Sequence, residues 1–204
     1  MLQIIFFQGG VSMEKFTMEM LTMRKATMVD WEWAYEVSYR AHKKLISEGR
    51  GYEYGGMSEE DVRNSIRNGE IYLFYRKGDE FPVMMVSILR QESYPSYKEL
   101  LQRISDSGEI RGCKEIPSSE VVILNAVAVR PELWGQGYCC EGLDAVGSEL
   151  KKQGVKVWVG NYFHDEVRRK MLAGEKRQVY IGNPYKRKRG NGEILERRRF
   201  ASVI

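Results

Sequence analysis

Gly135 and Gly137 stand two residues apart in "VRPELWGQGYCCEG", residues 129 to 142. A glycine adopts positive φ without penalty and lets backbone approach a ligand closely. Successive amides in such a turn can face one concavity, a nest for anions. If a helix follows, its first turn adds unpaired N–H groups and a partial positive charge. That combination suits a pyrophosphate held by backbone donors. The bare pattern also fits a structural tight turn. Cys139, at the expected helix start, is either a thiol of lowered pKa or an inert thiol beside an inward-packed Cys140. Other groups able to move protons or bind an ammonium are scattered: Glu53, Glu120, His164, Tyr180 and Tyr185. Each also has an ordinary reading as a solvated, capping or packing residue.

The elements around the turn must position it. "EVVILNAVAV" (120–129) is almost continuously apolar and predicts a buried central strand. After the turn, Leu143, Val146 and Leu150 share one face of a helix of about fifteen residues that stops at Gly154. "VKVWVG" predicts the next strand. Upstream, "LTMRK" reads as a strand and Asp30 as the N-cap of a helix burying Trp33, Val37, Ala41 and Leu45. Trp33 is expected in the core rather than on a ligand shelf. "GRGYEYGG" (49–56) is a loop. Ser58 and Asp61 form a capping box, and Gly69 ends the short helix behind it. "EIYLFYR" and "FPVMMVSILR" flank "KGDE" as a hairpin. Residues 90–119 read as an inserted helix and loop, and "HDEVRRKMLA" as a short helix. "RQVYIG" and "EILERRRFASVI" read as closing strands around the turn-rich "NPYKRKRGNG". The fold class is therefore α/β, with one domain over 21–204. Residues 1–20 form an extension of uncertain role, a peripheral strand among the options.

Composition bounds the function. In 204 residues, 43% are hydrophobic and 29% charged, the balance of a globular chain. No apolar run approaches a membrane span. Three cysteines without C-x-x-C spacing and two histidines argue against a disulfide framework or a zinc site. A reducing, cytoplasmic setting follows as the expectation. Residues 168–199 hold twelve Lys/Arg against three Glu, while the whole chain carries only +4. That end could meet nucleic acid, an acidic partner or phosphates, or be a solvated basic face. No nucleic-acid reader motif accompanies it.

"AVAVRPELWGQGYCCEGL" resembles the GNAT acyltransferases, whose signature is a strand, then V-x-P-x-x-[RQ]-G-x-G-x-[GA], then a helix. Val129, Pro131, Gly135, Gln136 and Gly137 fall on that pattern. "LTMRKATMVDWEWAYEV" looks like the family's first strand and helix, and "VKVWVGN" like its fifth strand, ending at Asn161. The resemblance implies a mixed, twisted central sheet with helices on both faces and a splayed fourth and fifth strand. It implies that acetyl-CoA serves as co-substrate, with its pantetheine arm along Val127 and Val129. The loop from Trp134 through Gly135, Gln136, Gly137, Tyr138 and Cys139 would take the pyrophosphate, and Asn161 would hold the cofactor from the fifth strand. The acceptor would be a primary amine of a small molecule or peptide, met by Tyr52, Glu53 and Tyr54. Glu120 would be the base, and Tyr180 a substitute acid, since Arg168 stands where the family places a Tyr. Trp134 replaces the usual Arg or Gln, and Cys139 the usual Gly or Ala. A homodimer is the assembly that the family suggests. A CoA-binding protein without catalysis, and a nucleic-acid module using 168–199, are the alternative functions.

Overall fold

The computed structural model describes residues 3–4, 21–48, 56–90, 120–163, 178–188 and 194–203. The strands are β1 (Gln3–Ile4), β2 (Thr22–Lys25), β3 (Ile71–Tyr75), β4 (Met84–Leu89), β5 (Val121–Val129), β6 (Val157–Phe163), β7 (Gln178–Lys188) and β8 (Ile194–Val203). The helices are α1 (Trp31–Ser47), α2 (Glu59–Arg67) and α3 (Tyr138–Lys152). The fourth and fifth strands of the sequence pattern are thus β5 and β6. For β1, β7, β8 and β6 apart from Trp158, only the backbone is described.

One sheet runs in the order β2-β3-β4-β5-β6-β8-β7, with β1 added against β5. β5 is parallel to β6 and to β1, and the other neighbours are antiparallel. The mixed sheet expected from the sequence is therefore present, with helices packed on both faces.

Strand β5 shows how the two faces are filled. Its side chains alternate, as extended backbone requires. Val122, Leu124, Val127 and Val129 share a cluster with Val146 and Leu150 of α3. Ala126 and Ala128 point the other way, among Val37, Ala41 and Leu45 of α1 and Val62 and Ile66 of α2. The alternation changes phase at Asn125, where the β4–β5 register also shifts: Ile88 faces Leu124 but Ser87 faces Ala126. Asn125 is the extra residue of a β-bulge, and its side-chain amide donates to Ser87 Oγ at 3.3 Å. Burying each large side chain here stabilises the fold by roughly 1.5–3 kcal/mol. Gly142 lets α3 approach β4, since a Cβ there would collide with the Met84 thioether.

The hairpin β3–β4 and the Ser58–Asp61 capping box stand as expected. Asp30 is the N-cap residue of α1, as expected, but its carboxylate caps no α1 amide. It accepts instead from the Thr27 amide at 2.7 Å and hydroxyl at 2.8 Å, and from both terminal nitrogens of Arg24. The reason is the single 3-10 turn, Met28–Asp30, inserted ahead of the helix. Trp33 is also a correction: it is 41% exposed, its ring 4.3 Å from that of Phe81, and Ala34 takes the buried position beside it. β7 runs further than expected, through "NPYKRK", absorbing Asn183 and Pro184 in a register shift between Ile181 and Tyr185. The insert at 91–119 and the expected helix after His164 lie outside the described residues.

Candidate cofactor cleft

The site begins where two strands part. β5 and β6 pair only at Val121–Val157, Val122–Trp158 and Ile123–Val159. Beyond that, β6 stays with β8 as far as Phe163, while β5 stays with β4 as far as Val129. A gap therefore opens past Ile123. The bulge at Asn125 supplies a cause, because the extra residue bends its strand and increases the local twist. β5 swings with β4, and β6 does not follow.

The gap-facing backbone groups follow from alternation. The Arg130 amide donates to the Val83 carbonyl at 2.9 Å, so residue 130 faces β4. Neighbouring residues of an extended strand turn their polar groups to opposite sides. Val129 and Val127 therefore present theirs to the gap. The Val129 carbonyl is already engaged: the Trp134 indole N–H donates to it at 2.7 Å.

The chain then makes one 3-10 turn, Pro131–Leu133, and enters the glycine loop. Gly135 has φ 80° and Gly137 φ 86°, the left-handed region in which a side chain is strained. Gly137 is the N-cap of α3. Its carbonyl accepts from the amides of Cys140 at 3.0 Å and Glu141 at 3.2 Å. Among the described residues, no protein acceptor takes the amides of Gly135, Gln136, Gly137 or Tyr138. These are donors at the positive end of a fifteen-residue helix.

The loop is anchored on several sides. Leu133 is buried in the α3-side cluster. Glu132 lies 3.2 Å from Arg40 of α1, and its carbonyl accepts from the Gln136 side chain at 3.4 Å. Arg76, at the end of β3, hydrogen-bonds Asp79 at 2.9 Å, and that contact together with the nearby Tyr138 side chain raises its pKa. It brings a permanent cation to the first residue of α3. Glu141, in the same first turn, accepts from the Leu21 amide at 2.7 Å.

The structure gathers Val127, Val129 and the loop Trp134–Cys139 at one end of β5. It does not bring Glu120 to them. Glu120 precedes β5 at the opposite, paired end, about 30 Å along the strand from Val129 at ~3.3 Å per residue. Its carboxylate is 2.8 Å from Lys156 Nζ. Asn161 lies on β6 beyond the parting, opposite Arg199 of β8. Tyr180 lies on the outer strand β7, opposite Phe200. Tyr52, Glu53, Tyr54, His164 and Arg168 lie outside the described residues. The expected inward packing of Cys140 is reversed: Cys140 is exposed, and Cys139 packs against the α3-side core. The sequence reading missed Arg76, which a hairpin carries to α3 from far upstream, and the capping role of Trp134. The bulge was legible only as Asn125, a polar residue interrupting an apolar run.

No group of three or more His, Cys, Asp or Glu that could hold a metal occurs among the described residues. No helix there is long and apolar enough to cross a membrane.

The fold is that of the GNAT acetyltransferases. The ribosomal-protein-S18-alanine N-acetyltransferase of Escherichia coli superposes with a TM-score of 0.59 at 14% identity, covering 91% of this chain and 94% of that one. A GNAT-family acetyltransferase of Listeria monocytogenes gives 0.61 at 11% identity, covering 90% and 95%. A Bacillus anthracis acetyltransferase of the GNAT family gives 0.54 at 16% identity, covering 91% and 95%. No family model matches the sequence, and no curated protein is similar enough to it to count as a match. The likeness is one of architecture, carried by the order of elements rather than by shared residues.

Proposed function

We propose that the protein is an N-acetyltransferase that moves the acetyl group of acetyl-CoA to a primary amine. One observation carries this: the edge of β5 that β6 leaves leads straight into a loop of unclaimed amides at the start of α3. The residues present fit the cofactor. The amides of Gly135 to Tyr138 bind its diphosphate, with Cys139 completing the loop and the Arg76 charge nearby. Val127 pairs with the pantetheine amides as a neighbouring strand would. Val129 contributes its N–H, its carbonyl being held by Trp134. Asn161 flanks the arm from β6. When bound, acetyl-CoA supplies an activated thioester in the cleft.

The chain must then place a neutral amine within about 3–3.5 Å of the thioester carbon. Tyr52, Glu53 and Tyr54 are assigned to the acceptor, Glu53 to its ammonium group. Glu120 and Tyr180 enter as proton acceptor and proton donor on residue type and chain position. The acceptor is a small molecule or peptide bearing the amine.

The test is release of free thiol from acetyl-CoA across a panel of amines, beside direct CoA titration. Acetyl transfer to at least one amine class is expected. CoA binding without transfer to any amine replaces this reading with an acyl-CoA-binding protein. Absence of CoA binding removes it.

A further inference from the structure

The gap between β5 and β6 holds a segment of the chain itself. β1 lies parallel to β5, with Gln3 opposite Ala126 and Ile4 opposite Val127. It also lies against β6. It therefore continues the sheet at the point where β6 has departed, against the same Val127 backbone that the cofactor reading assigns to the pantetheine arm. A strand edge has one row of donors and acceptors, and one extended occupant uses it up. β1 and the arm cannot both pair with Val127.

We infer that β1 is an intramolecular competitor for the cofactor arm, an autoinhibitory strand that must leave the β5 edge before CoA can lie along it. This rests on the acetyl-CoA reading above. Several features suit displacement. Among the described residues β1 pairs through Gln3 and Ile4, so few hydrogen bonds are lost on their release. The glycine-loop amides lie beyond the β1 pairing, so a diphosphate can be captured there before the arm displaces the strand. Trp134 covers the Val129 carbonyl, leaving Val127 as the gap-facing residue where the two occupants meet.

The consequence is a population effect. A ligand that needs the open form binds with an affinity reduced by the open fraction. If β1 fills the slot nine-tenths of the time, freeing the edge tightens the apparent Kd for CoA about 10-fold.

The experiment compares the full chain with its Gln3→Pro variant by calorimetric CoA titration. Gln3 lies opposite Ala126 and turns its N–H toward β5, and proline there removes that donor and breaks the pairing. Tighter binding by the variant, at an unchanged melting temperature, is expected. Equal or weaker binding by a folded variant overturns the competitor. If neither form binds CoA, the cofactor reading itself fails and takes this inference with it. A second measurement uses the unmodified chain. Hydrogen exchange with saturating CoA should deprotect the Gln3 amide while Val127 stays protected. Protection of Gln3 that survives CoA binding overturns the proposal whatever the variant does.

Discussion

Trp134 donates its indole N–H to the carbonyl oxygen of Val129 at 2.7 Å, across the turn that joins β5 to the glycine loop. The family pattern has Arg or Gln at this position. Trp134 instead occupies the last gap-facing acceptor of β5 and ties the loop to the strand. Trp134→Phe keeps a ring in the pocket and removes the donor. It should lower stability by about 0.5–1.5 kcal/mol, the net worth of one such bond. It should also tighten CoA binding, since the carbonyl becomes available to the arm. Thermal melts and CoA titration read the two effects separately. Weaker CoA binding would show that the indole supports the loop rather than competing with the ligand.

Gly137→Glu sets a side chain where φ is 86° and a negative charge among the anion-facing amides. Backbone strain of roughly 1–2 kcal/mol is expected, with loss of measurable CoA binding. A folded variant that retains wild-type affinity would show that the diphosphate does not lie on this loop.

Glu120→Gln separates proton transfer from cofactor binding. Glu120 is at the far end of β5, so CoA affinity should not change. Its ion pair with Lys156 is partly solvated, so stability should move by no more than about 1 kcal/mol. If Glu120 is the base, turnover falls about 10²–10⁴-fold. Unchanged turnover assigns the proton to another group.

Asp30 gives the fold an acid-sensitive contact. Its bonds from Arg24 and from the Thr27 amide and hydroxyl outweigh burial and hold its pKa far below the usual carboxylate range. A depressed folded pKa means that stability is fully present above the unfolded value, about 3.9, and drains as pH falls below it. Asp30→Asn should lower stability near neutral pH by roughly 1–2 kcal/mol, discounted for the half-exposed Arg24. Denaturant melts from pH 3 to 7 should then show a flatter profile for the variant. Parallel profiles would place the acid sensitivity elsewhere.

The sheet, α3 and the glycine loop were legible because each writes its cause locally. An apolar run marked β5, a spacing of three and four marked α3, and glycines marked the left-handed turn. What was hidden depends on partners distant in the chain. Arg76 reaches Tyr138 only once the hairpin is folded, and Trp33 is exposed because Ala34 fits the tight contact beneath α1. β1 was unreadable in another way. "LQIIFF" is apolar enough for any strand, but nothing in it names β5 as a neighbour. Glu120 stands just ahead of β5, but sequence alone did not show that its carboxylate meets Lys156 at the end away from the glycine loop.

The bulge at Asn125 makes β5 intolerant of a change in length. Removing that one residue would restore strict alternation and leave Val127 and Val129 toward α3 and the two alanines toward α1. What it would take away is the bend that sets β5 apart from β6. Counting residues, rather than conserving side chains, is thus what keeps the cleft in being: in an evolving lineage this strand can drift in composition far more readily than it can gain or lose a single codon.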